Sequence, residues 1–376
     1  MPLKLSSRAA KIPYYPAAGG YGLPDGVALM ASNETPDAPL PEVVEAAARA
    51  LAGTNRYPDP AYRPLRDRLA GLTGVPSERI AVGNGSCEIL LALGEALLEE
   101  GAELVYGWPA FSVYPHLEAA SGATAVRVPL DAEHRHDLDA IAAAITGRTR
   151  LVIVCNPNNP TSTAVGLDDL RGFLAKVPED VVVILDEAYV EFAERYRPEE
   201  SLPLLDEHPN LVILRTFSKI YGLAGLRVGY ALCANEELVG AAARVRQPFV
   251  VNVAAEAAAV EALAHPGAIA ARVAQAREAR AAVDAGLRDL GIVPAASEAN
   301  FAWFDLPAGG PAAGGTVDDT ATPATVEQAV IAALRAEKVL VRSGGALGRP
   351  GALRVTYGTP DENRRFLAAL GRALGA

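Results

Sequence analysis

Cysteine, histidine, aromatic side chains and basic charge are all scarce in this chain. Its 376 residues include 3 cysteines and 5 histidines. Cys87, Cys155 and Cys233 have no metal-ligand spacing, and neither do His116, His134, His136, His208 and His265. No metal site is therefore expected, and the histidines read as surface or loop residues. An odd cysteine count without an export signal points to a reducing compartment, the cytoplasm. Residues 1–25 lack the continuous apolar core of a signal peptide. No stretch reaches the roughly 18 uninterrupted apolar residues of a membrane span. Runs such as 254–264 are shorter, carry Glu256 and Glu261, and read as packed helices. A net charge of −11 with no long basic run argues against nucleic acid or a membrane surface as partner. A local Lys/Arg cluster can still bind a small phosphate in an acidic protein.

What the chain has is apolar residues, 50% of the total, and a length that exceeds one typical domain. Between Ile80 and Cys233 short apolar runs alternate with longer Ala/Leu-rich segments. The runs fall near 104–106, 125–128, 151–155, 181–185, 211–214 and 228–232. This alternation predicts an α/β fold, a parallel sheet with helices on both faces. Residues 254–290 are Ala-rich with few breakers before Gly286 and predict long helices leading to a second unit. That unit starts near 291–293, has a strand at 300–304 and ends in a helix over 360–374. The segment 307–323 is rich in Gly, Pro and small residues and reads as a surface loop, a neutral insertion in preference to a lid.

Four polar segments follow apolar runs and carry candidate chemistry. Lys219 lies beyond the run 211–214, close to Thr216 and Ser218, with Arg227 eight residues on. A lysine at a strand end with hydroxyls and a guanidinium suits an aldehyde cofactor bearing a phosphate. Taken alone, a solvated surface lysine is the commoner case. Asp186 and Tyr189 follow the β-branched run 181–185, where ligands of parallel sheets bind. Asp186 there can pair with a protonated ring nitrogen, or equally cap a helix. Asn159 sits in the turn 156–162 after 151–155, where a plain turn is the simpler reading. Gly83, Gly85, Ser86 and Cys87 precede an apolar helical segment and suit a phosphate cradle. Position 88 is Glu, so the glycines make no dinucleotide fingerprint, and no Walker loop follows.

Together these segments resemble, in order and spacing, the fold-type I pyridoxal-phosphate aminotransferases. The resemblance is strongest to the histidinol-phosphate and aromatic amino-acid aminotransferases and runs from about Ile12 to the C-terminus. It includes Ser32-Asn33-Glu34-Thr35-Pro36, Asn55-Arg56-Tyr57-Pro58, the Asn-Asn-Pro-Thr turn, Asp-Glu-Ala-Tyr, Ser-Lys…Gly-Leu-Arg and residues 353–359. It implies a three-layer, mostly parallel large domain over 41–275. A smaller discontinuous α/β domain would be made of 1–40 and 276–376.

The resemblance also assigns roles. Lys219 carries pyridoxal 5'-phosphate as an imine and then shuttles the substrate proton. Asp186 holds the ring nitrogen, Tyr189 and Asn159 the ring hydroxyl, and Phe111 stacks on the ring where many relatives have Tyr. Gly85, Ser86, Cys87, Thr216, Ser218 and Arg227 hold the phosphate. Ser162 replaces a usual glycine. Tyr57 reaches the phosphate in a neighbouring subunit, implying a homodimer.

For the substrate, Arg354 meets a carboxylate and Arg342, with Tyr14, a phosphate; Asn33 also belongs to this side. The leading expectation is exchange between histidinol phosphate/imidazole acetol phosphate and glutamate/2-oxoglutarate, which would place the chain in histidine biosynthesis. The alternative is an aminotransferase of Phe and Tyr. A phospho-amino-acid decarboxylase and a non-catalytic sensor rank lower. The sensor is disfavoured because its DNA-binding module would need room before Ile12.

Overall fold

The computed structural model describes residues 6, 9–12, 26–307 and 322–375. Tyr14 and nearly all of the 307–323 segment lie outside the described residues. In chain order the strands are β1 (Ala28–Leu29), β2 (Ile80–Gly83), β3 (Glu103–Trp108), β4 (Thr124–Pro129), β5 (Thr149–Cys155) and β6 (Val182–Asp186). They continue as β7 (Leu211–Thr216), β8 (Gly229–Cys233), β9 (Phe301–Asp305), β10 (Val339–Leu340), β11 (Arg342–Ser343) and β12 (Ala352–Thr356).

Strands β2 to β8 form a seven-stranded sheet in the order β2-β8-β7-β6-β5-β3-β4. β7, β6, β5, β3 and β4 pair in parallel, whereas β8 runs against both β2 and β7. Alternation of apolar runs alone predicts β8 parallel as well. The segment between Thr216 and Gly229 contains only a 3-10 turn at Ala224–Leu226. A parallel return needs a longer crossover, usually through a helix. The central strands are buried on both faces. Ile184 packs with Leu90 and Leu93 of the helix Ser86–Leu97, while Val183 and Leu185 pack with Leu170 and Phe173 of the helix Leu167–Leu174. The result is three layers with two cores.

A third core joins β1 to the C-terminal part of the chain. β9, β12 and β11 form an antiparallel sheet, and β1 pairs in parallel with β10. Ala28 and Met30 are buried with Val283, Phe304, Val330, Val355 and Phe366. Two backbone bonds tie Met30 in: its N–H donates to Leu340 and its carbonyl accepts from Thr356. The last helix, Pro360–Leu374, opens with a capping box in which Thr359 Oγ1 accepts from Glu362 N and Glu362 Oε2 accepts from Thr359 N. Among the described residues no helix is long and apolar enough to cross a membrane.

Candidate active site

A cavity of about 460 Å³ opens at the carboxyl ends of β5, β6 and β7, facing the sheet of β11 and β12. Its walls include Asn33, Ser86, Cys87, Phe111, Asn159, Asp186, Tyr189, Thr216, Ser218, Lys219, Arg227, Arg342 and Arg354. Residues far apart in the chain are thus brought together where a parallel sheet places its ligands.

One end is built for an anion. Gly85 precedes the helix Ser86–Leu97 with φ of 76°, a conformation that only glycine adopts freely. A Cβ there would lie 2.5 Å from Arg227 Nη2, so the guanidinium packs directly on this backbone. A Cβ on Gly229 would collide with Ser86 N, so β8 needs its glycine for the helix start to sit where it does. Arg227 itself has φ of 62° and donates through Nη1 to Ala224 O at 3.0 Å. A non-glycine residue in the left-handed region stores strain, which tends to persist at functional sites. Burial pushes the Cys87 thiol up to about 11, so it stays protonated. Its place in the first turn leaves its backbone N–H as the useful group.

At the other end Asp186 closes β6. No α-helix begins at Asp186, so it is not a helix cap. Oδ2 accepts from the Tyr114 hydroxyl at 3.0 Å, and Oδ1 from Ala188 N at 3.2 Å. Burial pushes the carboxyl up to about 6, against the lowering effect of these two bonds. The Tyr189 hydroxyl accepts from Asn33 Nδ2 at 3.0 Å and from Asn159 Nδ2 at 3.3 Å. A hydroxyl has one proton of its own, which those two bonds leave available. Lys219 Nζ donates to Ser32 O at 3.1 Å and lies 5.7 Å from the centre of the Tyr189 ring. Burial, reinforced by Arg354, lowers this amine to about 8. A lysine so shifted exchanges protons near neutrality.

Arg354 donates through Nη1 to Asn159 Oδ1 and through Nη2 to Ala31 O, each at 2.6 Å. Arg342 stands opposite Arg354 in the β11–β12 register, and both are buried.

Among the described residues, two expected ones fall outside the cavity wall. Gly85 acts behind Arg227. Tyr57 is 81% exposed and stacks on Phe249 with centroids 4.5 Å apart. Tyr14 is outside the described residues. Ser162 has φ of 61°, the conformation a glycine would take freely, and is fully buried with Oγ donating to Thr161 O. His136 is no surface residue: it is buried against Gly107, contacts Cys155 O through Nε2 at 2.9 Å, and burial lowers it to about 4. Sequence reading also missed Ser32 and Leu347, which line the cavity, and Tyr114, which bonds to the cavity residue Asp186, because only the folded chain brings them there.

The donor set is the one pyridoxal phosphate requires: an anion cradle, a buried carboxylate and an enclosed amine of lowered basicity, arranged around one cavity. The architecture is that of the fold-type I enzymes that use this cofactor. Residues 25–370 match the family described as Aminotransferase class I and II. The chain is 46% identical over 356 residues to an aromatic amino acid aminotransferase of Thermobifida fusca, covering 94% of this chain and 92% of the relative. It is 42% identical over 371 residues to histidinol-phosphate aminotransferase 1 of Cupriavidus pinatubonensis, covering 98% and 94%. The crystal structure of histidinol-phosphate aminotransferase from Sinorhizobium meliloti in complex with pyridoxal-5'-phosphate aligns with a TM-score of 0.83 at 28% identity, over 93% of this chain and 91% of that one. The chain belongs to the class I and II aminotransferase family. It is a pyridoxal-phosphate-dependent aminotransferase acting on amino acids and 2-oxo acids.

Proposed function

We propose that this enzyme transfers the amino group of Phe or Tyr to 2-oxoglutarate, and the reverse. The observation that carries the reading is the Arg342–Arg354 pair on one cavity wall. Arg354 offers a fork to the carboxylate next to the reacting carbon. Arg342 serves the second carboxylate of glutamate. Phe111, Val113 and Leu347 give the same cavity an apolar lining for a ring. The name of the T. fusca relative supports this order of readings. The second reading is histidinol phosphate, as the sequence motifs favour. The same buried Arg342 supports it, as a partner for a substrate phosphate, and so does the C. pinatubonensis relative.

Position in the cavity supports the remaining proposed roles. When bound, the cofactor supplies a ring that withdraws electrons from the substrate carbon. Asp186 keeps a negative charge at the ring nitrogen, Tyr189 and Asn159 hold the ring hydroxyl, and Phe111 covers one face. Arg227, Ser86, Ser218, Thr216 and the backbone at Gly85 and Cys87 grip the phosphate. Lys219 binds the cofactor and moves the proton at the substrate carbon.

The exposed Tyr57–Phe249 stack supports a homodimer in which Tyr57 meets the partner's site. Free Cys87, Cys155 and Cys233 agree with a cytoplasmic protein. The shared core of Ala28, Met30 and the C-terminal elements supports a small domain of 1–40 and 276–376 beside a large domain of 41–275.

Turnover of Phe, Tyr and histidinol phosphate, each with 2-oxoglutarate, tests the reading in wild type, Arg342→Ala and Arg354→Ala. Arg354→Ala should cut kcat/KM for Phe and Tyr roughly tenfold to a hundredfold, the worth of a charged hydrogen bond. Arg342→Ala should lower kcat/KM for Phe and Tyr far less than kcat/KM for the co-substrate 2-oxoglutarate. A wild-type enzyme that uses histidinol phosphate and ignores Phe and Tyr would put the second reading in place of the first.

A further inference from the structure

We infer that Tyr114 is a positioning residue that sets both the orientation and the basicity of Asp186. It is 72 residues from Asp186 in sequence, begins the helix Tyr114–Ser121, and is 1% exposed. Its hydroxyl donates to Asp186 Oδ2 at 3.0 Å. Its ring is held edge-on by Phe111 at 5.8 Å and Tyr106 at 5.6 Å between centroids. Phe111 lines the cavity, so one side chain braces both the proposed ring-stacking residue and the carboxylate proposed to meet the ring nitrogen. The inference rests on the proposed role of Asp186 at the ring nitrogen.

A carboxylate that accepts a hydrogen bond is less basic than one that does not. Burial alone would make Asp186 hold a proton tightly, and the Tyr114 bond opposes that. Tyr114 stays a donor because burial raises its phenol well above the ordinary range. The titratable groups around Asp186 are Tyr114, Tyr189, Glu187, Lys219, Cys155 and Cys87. Cys155 and Cys87 are raised by burial and remain neutral. Among these groups Tyr114 supplies a side-chain hydrogen bond to Asp186, while Ala188 N fixes the other oxygen. Removing the hydroxyl leaves Asp186 holding a proton that the ring nitrogen needs. Less positive charge near the ring then makes the Lys219 nitrogen more basic in the loaded enzyme.

Tyr114→Phe keeps the ring packing and deletes only the hydroxyl. Three quantities are read on the holoenzyme: kcat and KM for the amino acid, the pH midpoint of the visible absorption band, and the dissociation constant of pyridoxal phosphate. Expected are a kcat about tenfold lower with KM within twofold, a midpoint moved to higher pH, and cofactor binding weakened several-fold. The double variant Tyr114→Phe/Asp186→Asn should be no worse than Asp186→Asn alone, because the partner of the hydroxyl is already changed. Additive losses, or a wild-type midpoint and kcat in Tyr114→Phe, would overturn the inference. If Asp186→Asn itself behaves as wild type, the failure lies with the role of Asp186. If Asp186→Asn is impaired and Tyr114→Phe is not, it lies with Tyr114.

Discussion

Asp186 and Glu187 leave the end of β6 on opposite faces of the main sheet, and each meets a different kind of neighbour. Glu187 is fully buried and takes Arg215 in a paired contact, Nε at 2.9 Å and Nη2 at 2.7 Å to Oε2. Its other oxygen accepts from Tyr196 at 3.0 Å, and Tyr196 in turn accepts from Asn156. That face neutralises its own charge with a buried guanidinium. Asp186, one residue earlier, accepts from neutral donors, a phenol and a backbone amide. Its carboxyl is pushed up to about 6 by burial. Two adjacent acids thus divide the work. One is closed within the fold, and the other is oriented by the fold and, in its proposed role, would answer a cation brought by the cofactor.

Breaking the closed side should have the largest effect, and on stability. Arg215→Met leaves Glu187 buried without its cation, which costs about 3–5 kcal/mol. Urea denaturation should show this loss, while any folded fraction keeps the wild-type absorption band. A variant of near wild-type stability would mean that the pair is dispensable.

Breaking the open side should spare the fold and strike turnover. Asp186→Asn is isosteric, so cofactor should be retained while kcat falls by about 10²–10³, the scale of losing one preorganised electrostatic contact. Stability should change little beside Arg215→Met. Wild-type turnover would remove Asp186 from the mechanism.

The smallest effect is a pH slope in the cofactor-free protein. The Asp186 carboxyl is raised from 3.8 to about 6, so between those values the folded state holds the extra proton. Its contribution to stability is full below about 3.8 and is lost as pH rises through about 6. Denaturation midpoints from pH 3.5 to 7 should show that decline in wild type and a shallower one in Asp186→Asn. Equal slopes would show that Asp186 does not titrate in this window.

The comparison also explains what could be read without the fold. The strands 151–155, 182–186 and 211–216 stand out because residues buried on both faces must be continuously apolar. The polar residues just beyond them, Asn159, Asp186, Tyr189 and Lys219, were therefore visible as site candidates. Ser162 was visible as a departure from a glycine position, and its φ of 61° gives that departure its physical meaning. What stayed hidden depends on contacts between distant segments. Tyr114 looks like any helix aromatic until β3 and β6 bring it under Asp186. The Arg342–Arg354 pairing requires the antiparallel register of β11 and β12. His136, expected at the surface or in a loop, does lie in a loop, but polar flanks mask its burial against Gly107. The reversed direction of β8 follows from a short connection that apolar periodicity does not report.

Lys219 is the proposed attachment point of the cofactor, and every other proposed role is arranged around it. Borohydride reduction of the loaded enzyme, followed by tryptic digestion and mass spectrometry, tests this directly. Arg215 and Arg227 bound the segment, and a modified lysine resists trypsin, so the label should appear on an uncleaved Thr216–Arg227 peptide. Label on any other lysine, with Thr216–Lys219 released unmodified, would contradict the account.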